Sequence, residues 1–99
     1  MHVICDLVVV TYDIGPSLSP FVAKVVKMIR EEPRVQHRLC PMGSVLEGEW
    51  QDVMALVDRI LTTLGPDYER IGLTLKVDWR RSKQNRMEGK VSSVQEKLD

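Results

Sequence analysis

Between Val3 and Thr11 the chain is apolar on both of its alternating faces. Val3, Cys5, Leu7 and Val9 form one row; Ile4, Val8 and Val10 form the other, with Asp6 as the exception. Side chains on a strand alternate between its two faces, so a segment of this kind reads as a central strand covered on both sides. One layer of the fold must bury the first row, and something else must bury the second.

The remaining elements show what the chain can offer. Tyr12 to Ser19 is a loop carrying Asp13, Gly15 and Pro16. Ser19-Pro20 then starts a helix, with proline suited to its first turn and the serine oxygen able to cap free N–H groups. Phe21, Val22, Val25, Val26 and Ile29 follow at helical spacing, and Pro33 stops the helix by Glu32. Arg34 to Cys40 and Ser44 to Glu47 are short strands joined through Pro41-Met42-Gly43, which predicts an antiparallel hairpin. Gly48 to Leu64 is the clearest helix, with an apolar stripe of Trp50, Val53, Met54, Val57, Ile60, Leu61 and Leu64. Gly65-Pro66 ends it. Ile71 to Trp79 alternates as a strand, and Met87 to Leu98 carries a thin stripe of Met87, Val91, Val94 and Leu98 that needs a surface to pack on.

The order β-α-β-β-α-β plus a last helix predicts an α+β ferredoxin-like plait, a four-stranded antiparallel sheet with two helices on one face, in a single domain spanning 1–99. A chain of 99 residues buries only roughly 60–70% of its unfolded surface. Ile4, Val8 and Val10 therefore point to self-association over the uncovered face, with folding-back of the last helix as the alternative.

Composition narrows the function. Formal net charge is zero, which gives no general electrostatic case for nucleic acid or an acidic membrane. No apolar run reaches transmembrane length, and the start lacks a basic segment and a cleavage site, so a cytoplasmic location is expected. Cys5 and Cys40 lack paired-ligand spacing and read as two buried free thiols; with His2 and His37 they do not form a metal-site pattern. No nucleophile elbow or phosphate loop occurs, so no catalytic residues, cofactor or metal are assigned.

Three segments carry a resemblance. They are Gly15-Pro16-Ser17-Leu18-Ser19-Pro20-Phe21-Val22-Ala23, Pro41-Met42-Gly43-Ser44-Val45-Leu46-Glu47-Gly48-Glu49 and Lys76-Val77-Asp78-Trp79-Arg80-Arg81, with Arg86 to Val94 in support. Together they resemble the small thiamine-binding proteins of YkoF-like fold. The family often has threonine where this chain has Pro16, and Ser44 stands where threonine is common. The resemblance implies a ferredoxin-like fold, a homotetramer built as a dimer of dimers, and non-catalytic binding of thiamine or its hydroxymethylpyrimidine half.

An aminopyrimidine needs a carboxylate or carbonyl for its amino group, and N–H or hydroxyl donors for its ring nitrogens. The candidate ligand-binding residues are Gly15, Ser17, Ser19, Met42, Gly43, Ser44 and Glu47, with Glu47 as the acceptor for the amino group or the counter-charge of the thiazolium. Each has a plainer reading: Ser19 as helix cap, Gly43 as turn residue, Met42 as core, Glu47 as a strand-end charge. Trp50 reads as core, while Trp79 could cover the core or line a pocket mouth. Arg80 and Arg81 are possible anion-binding residues. The basic run Lys76, Arg80, Arg81, Lys83, Arg86 and Lys90 reads as a salt-bridged face including Asp78, because the sheet lacks the aromatic pairs that plaits use to stack RNA bases. The alternatives to a thiamine binder are a structural or regulatory homo-oligomer and, less favoured, a nucleic-acid binder.

Overall fold

The computed structural model describes residues 1–98. Its elements are β1 (His2–Thr11), α1 (Ser19–Arg30), β2 (Gln36–Cys40), β3 (Gly43–Glu49), α2 (Trp50–Leu64), a single 3₁₀ turn at Gly65–Asp67, β4 (Ile71–Trp79) and α3 (Arg86–Leu98). The strands lie in the order β2-β3-β1-β4, and every neighbouring pair is antiparallel. With α1 and α2 as crossovers, this is the ferredoxin-like plait followed by an additional helix.

β1 is central, as its two apolar rows require. Val3, Cys5, Leu7 and Val9 join Phe21, Val25 and Ile29 of α1 and Val53, Leu56, Val57, Ile60 and Leu64 of α2 in one core. Tyr68 closes one end, its ring meeting Phe21 edge to face at 4.9 Å. Burial pushes the Cys5 thiol up to about 11, so it stays protonated inside the core.

The face of α2 that packs inward is rotated from the expected stripe. Leu56 is fully buried, whereas Trp50 is 38% exposed and Leu61 45% exposed. Trp50 opens the helix directly after β3, and its N–H is held by the Met1 carbonyl, which leaves its side chain at the rim instead of in the core. Ser19 is likewise not the cap of α1. Leu18 takes that position, Ser19 is the first helical residue, and no side chain caps the end. Cys40 is half-exposed, not buried; it ends β2 opposite Gly43, far from Cys5 opposite Leu46, and both thiols are free.

The second row of β1 is covered only at one end. The first turn of α3 seats Met87 and Arg86 against that face, while Val91, Val94 and Leu98 remain exposed. The anchor is Glu47 on β3. Its carboxylate, 2% exposed, accepts the N–H of Arg86 at 2.6 Å and of Met87 at 2.9 Å, and lies 2.8 Å from His2 Nε2. Free N–H groups and the helix dipole both favour a carboxylate at this position. Burial pushes the Glu47 carboxyl up, but the two backbone donors and His2 outweigh it, and the net shift is downward. On β4, Asp78 adds a second tie by binding the Arg86 guanidinium at 2.9 Å and Lys90 at 2.6 Å.

Candidate functional site

The hairpin is shorter than the strand it pairs with, and the mismatch makes a groove. Pro41 and Met42 form the two-residue turn between Cys40 and Gly43, with proline setting the φ of the first turn position. The β3 register therefore stops at Ser44 opposite Leu7, while β1 runs on with β4 to Thr11. Gly43 lets the turn close tightly, because a Cβ there would sit 3.0 Å from the Leu7 carbonyl and 3.1 Å from Val8 Cγ2. Past the turn, α1 crosses beside the stretch of β1 that β3 does not pair.

The resulting groove has a volume of about 830 Å³ and is walled mainly by apolar side chains. Val8, Val9 and Val10 line one side along the edge of β1, with the Val9 side chain on the helix face; Leu18, Val22, Ala23 and Val26 form another side, and Cys40 to Ser44 the end. That volume lies within the roughly 300–1,000 Å³ typical of small-molecule sites. Polar groups are few. Ser19 lines the α1 side, Ser44 lies at the hairpin end, and Lys27, Arg30 and Glu31 stand along the helix rim.

Ser44 is only 6% exposed, and its Oγ lies 3.1 Å from His37 Nε2. Burial, aided by the positive charge of Arg30, holds the His37 imidazole below its ordinary range, so it is neutral near pH 7. A neutral ring keeps one donor and one acceptor nitrogen, and Nε2 pairs with the Ser44 hydroxyl. Sequence reasoning weighed His37 only as a metal ligand. Its alternation with Leu39 on β2 was the available sign that it shares a face with Ser44.

Of the expected ligand-binding residues, the structure brings together Ser19, Met42, Gly43 and Ser44. Met42 is at the lip, 86% exposed, and not core. Gly15 and Ser17 lie in the exposed loop before α1 and do not line the groove; Gly15 has φ of +84°, a left-handed conformation that glycine adopts without strain. Glu47 is also outside it. The side chains of β3 alternate, so Ser44 faces the helices while Glu47 faces the opposite side and is engaged by α3. Arg80 and Arg81 sit at the other end of β1, in a shallow cleft of about 520 Å³ with His2, Glu49 and Trp79. Trp79 is partly exposed there, with the Arg81 guanidinium 5.0 Å from its ring. Val8, Val9, Val10 and the charged rim of α1 were not foreseen as site residues, because no side-chain motif marks them.

Comparison with known proteins agrees with this architecture. The chain is 31% identical to the UPF0045 protein YqgV of Bacillus subtilis over 84% of each protein, and 31% identical to the UPF0045 protein ECM15 of Eremothecium gossypii over 99% of this chain and 94% of that one. The solved structure of hypothetical protein MJ1052 from Methanocaldococcus jannaschii superposes with a TM-score of 0.87 at 25% identity, covering 96% of this chain and 97% of that one. That of TM0486 from Thermotoga maritima, a protein proposed for thiamine biosynthesis or salvage, gives 0.83 at 21% identity, covering 95% and 99%, and shows the shared fold. The family model described as "Thiamine-binding protein" matches residues 5–95, nearly the whole chain, and the chain belongs to that family.

Proposed function

We propose that the protein is a non-catalytic binder of thiamine or its hydroxymethylpyrimidine moiety, and that the ligand occupies the groove between α1 and the β2-β3 turn. The observation carrying this reading is an apolar groove of about 830 Å³ with a few placed polar groups, in a chain of the thiamine-binding family. Apolar walls suit the faces of two flat rings; the rim carries Lys27 and Arg30 beside Glu31, so the reading rests on the apolar walls and not on a counter-charge for the thiazolium. The name of the Thermotoga maritima neighbour points the same way. The protein would act as a carrier, buffer or sensor in the cytoplasm; among the described residues no helix is long and apolar enough to cross a membrane.

Self-association belongs to the same reading. Val91, Val94 and Leu98 leave an apolar stripe on α3, and Val8 and Val10 leave the second face of the sheet only partly covered. We propose that copies of the chain cover these surfaces, in the homotetramer that the family resemblance suggests.

Isothermal titration calorimetry with thiamine and with hydroxymethylpyrimidine tests the binding reading. Saturable heats are expected, and Ala23→Trp should abolish them, because Ala23 lines the groove and is exposed, so a larger side chain fills the site without entering the core. Absence of saturable binding, or undiminished binding in Ala23→Trp, would reject the assignment. Sedimentation analysis of the same sample reads the oligomeric state; a monomer at all concentrations rejects the tetramer.

A further inference from the structure

The groove contains a recognition element that no side chain supplies. Along a strand, the N–H and C=O of one residue point to the same edge, and those of the next residue to the other. Two bonds fix this parity in β1. The Met1 carbonyl accepts the N–H of Trp50 on the β3 side, and the Tyr12 N–H donates to the Arg70 carbonyl on the β4 side. The register of β1 with both neighbours is continuous between these ends. Odd-numbered residues therefore address β3 and even-numbered residues address β4.

The β3 register ends with Leu7 opposite Ser44. Val9 is the next odd residue, and β3 has no residue opposite it. Its N–H and C=O open side by side into the groove that Val9 lines. Backbone groups in an apolar setting require partners. A peptide strand is a poor occupant. The hairpin turn blocks one end, and beyond Val9 only Thr11 addresses this side before the strand ends, and Thr11 is itself buried. One donor and one acceptor remain, at the spacing with which an antiparallel partner residue would bond both.

We propose that the backbone of Val9 reads the amino edge of the pyrimidine. The Val9 N–H donates to the ring nitrogen beside the amino group, and the Val9 C=O accepts from the amino group itself. The ring then continues the plane of the sheet in place of the missing β3 residue, with the apolar side chains of α1 over one face. This assignment rests on the thiamine reading and specifies its chemistry. It takes over the acceptor role for the amino group that the sequence suggested for Glu47, whose carboxylate is held by α3.

The test uses unaltered protein and a ligand whose pattern is inverted. In oxythiamine the amino group is replaced by a carbonyl and the adjacent ring nitrogen carries a proton. Against Val9 it sets acceptor to acceptor and donor to donor. Thiamine is expected to bind at least about 100-fold more tightly than oxythiamine, since a site built around hydrogen bonds rejects a mismatched analogue strongly. Hydroxymethylpyrimidine should shift the Val9 amide resonance downfield and slow its hydrogen exchange. If oxythiamine binds as well as thiamine, or the Val9 amide is unmoved at saturation, the backbone assignment is overturned while thiamine binding stands. If neither thiamine nor hydroxymethylpyrimidine binds, both readings fall.

Discussion

Replacing Glu47 with alanine separates the two roles that this residue could have. The structure gives its carboxylate three partners, the N–H groups of Arg86 and Met87 and the His2 ring. Hydrogen bonds to a charged group contribute about 1.5–3 kcal/mol each, so the two backbone bonds set a ceiling of roughly 3–6 kcal/mol. Detachment of α3 limits the loss, because the freed N–H groups then reach water. What remains is the docking energy of the first turn, chiefly the burial of Met87, worth about 1.5–3 kcal/mol. Glu47→Ala should therefore cost about 2–3 kcal/mol and lower Tm by roughly 10–20 °C, at about 4–8 °C per kcal/mol for a domain of this size. Urea and thermal melts measure the loss, and hydrogen exchange at Arg86 and Met87 should accelerate before any effect on β1. Thiamine affinity should stay within about twofold at temperatures where the variant is folded, because the groove is on the other side of β3; a twofold change is about 0.4 kcal/mol. A stability change under about 0.5 kcal/mol, or loss of thiamine binding with α3 still protected, would refute the assignment of Glu47 to α3.

Glu32 contributes to acid stability. Hydrogen bonds from the Arg34 side chain and N–H, opposed by burial and aided by Arg59, hold its carboxyl at about 2 against an ordinary value of 4.5. The unfolded chain then binds more protons between these values, so the urea midpoint should fall as pH drops from about 4.5 toward 2, and Glu32→Gln should flatten that limb. Thiol labelling should divide the two cysteines: Cys40, half-exposed and in the groove wall, should react with iodoacetamide in the native state, while Cys5 should react only on unfolding. Saturating thiamine should slow the Cys40 reaction, and equal rates with and without ligand would count against occupancy of the groove.

Much of the architecture was legible in the sequence because it follows from periodicity. The two apolar rows of β1 identify the central strand, and β4 runs over the expected Ile71–Trp79. The rotation of α2 was harder to read. Trp50 and Leu61 extend the apolar stripe on a helical wheel, but where β3 hands over to the helix decides which positions meet the sheet, and Leu56 takes the place assigned to them. The site was legible where it consists of turn chemistry, in the Pro41–Ser44 segment, and at Ser19 beside the proline that opens α1. Glu47 has the right chemical type for a ligand contact, yet strand alternation puts it opposite Ser44, and only the packing of α3 shows what occupies it. The Val9 edge has no signature in residue type; it arises from a difference in length between two strands.

That difference makes the hairpin a simple control on what the fold can host. Lengthening each arm by one residue would move the turn outward and set a β3 residue against Val9, sealing the notch with an ordinary strand pair. The plait would keep its core and its topology but lose its cavity. Insertions or deletions at the Pro41-Met42 tip, more than substitutions within the groove, are thus the changes by which a chain of this design would gain or lose a ligand.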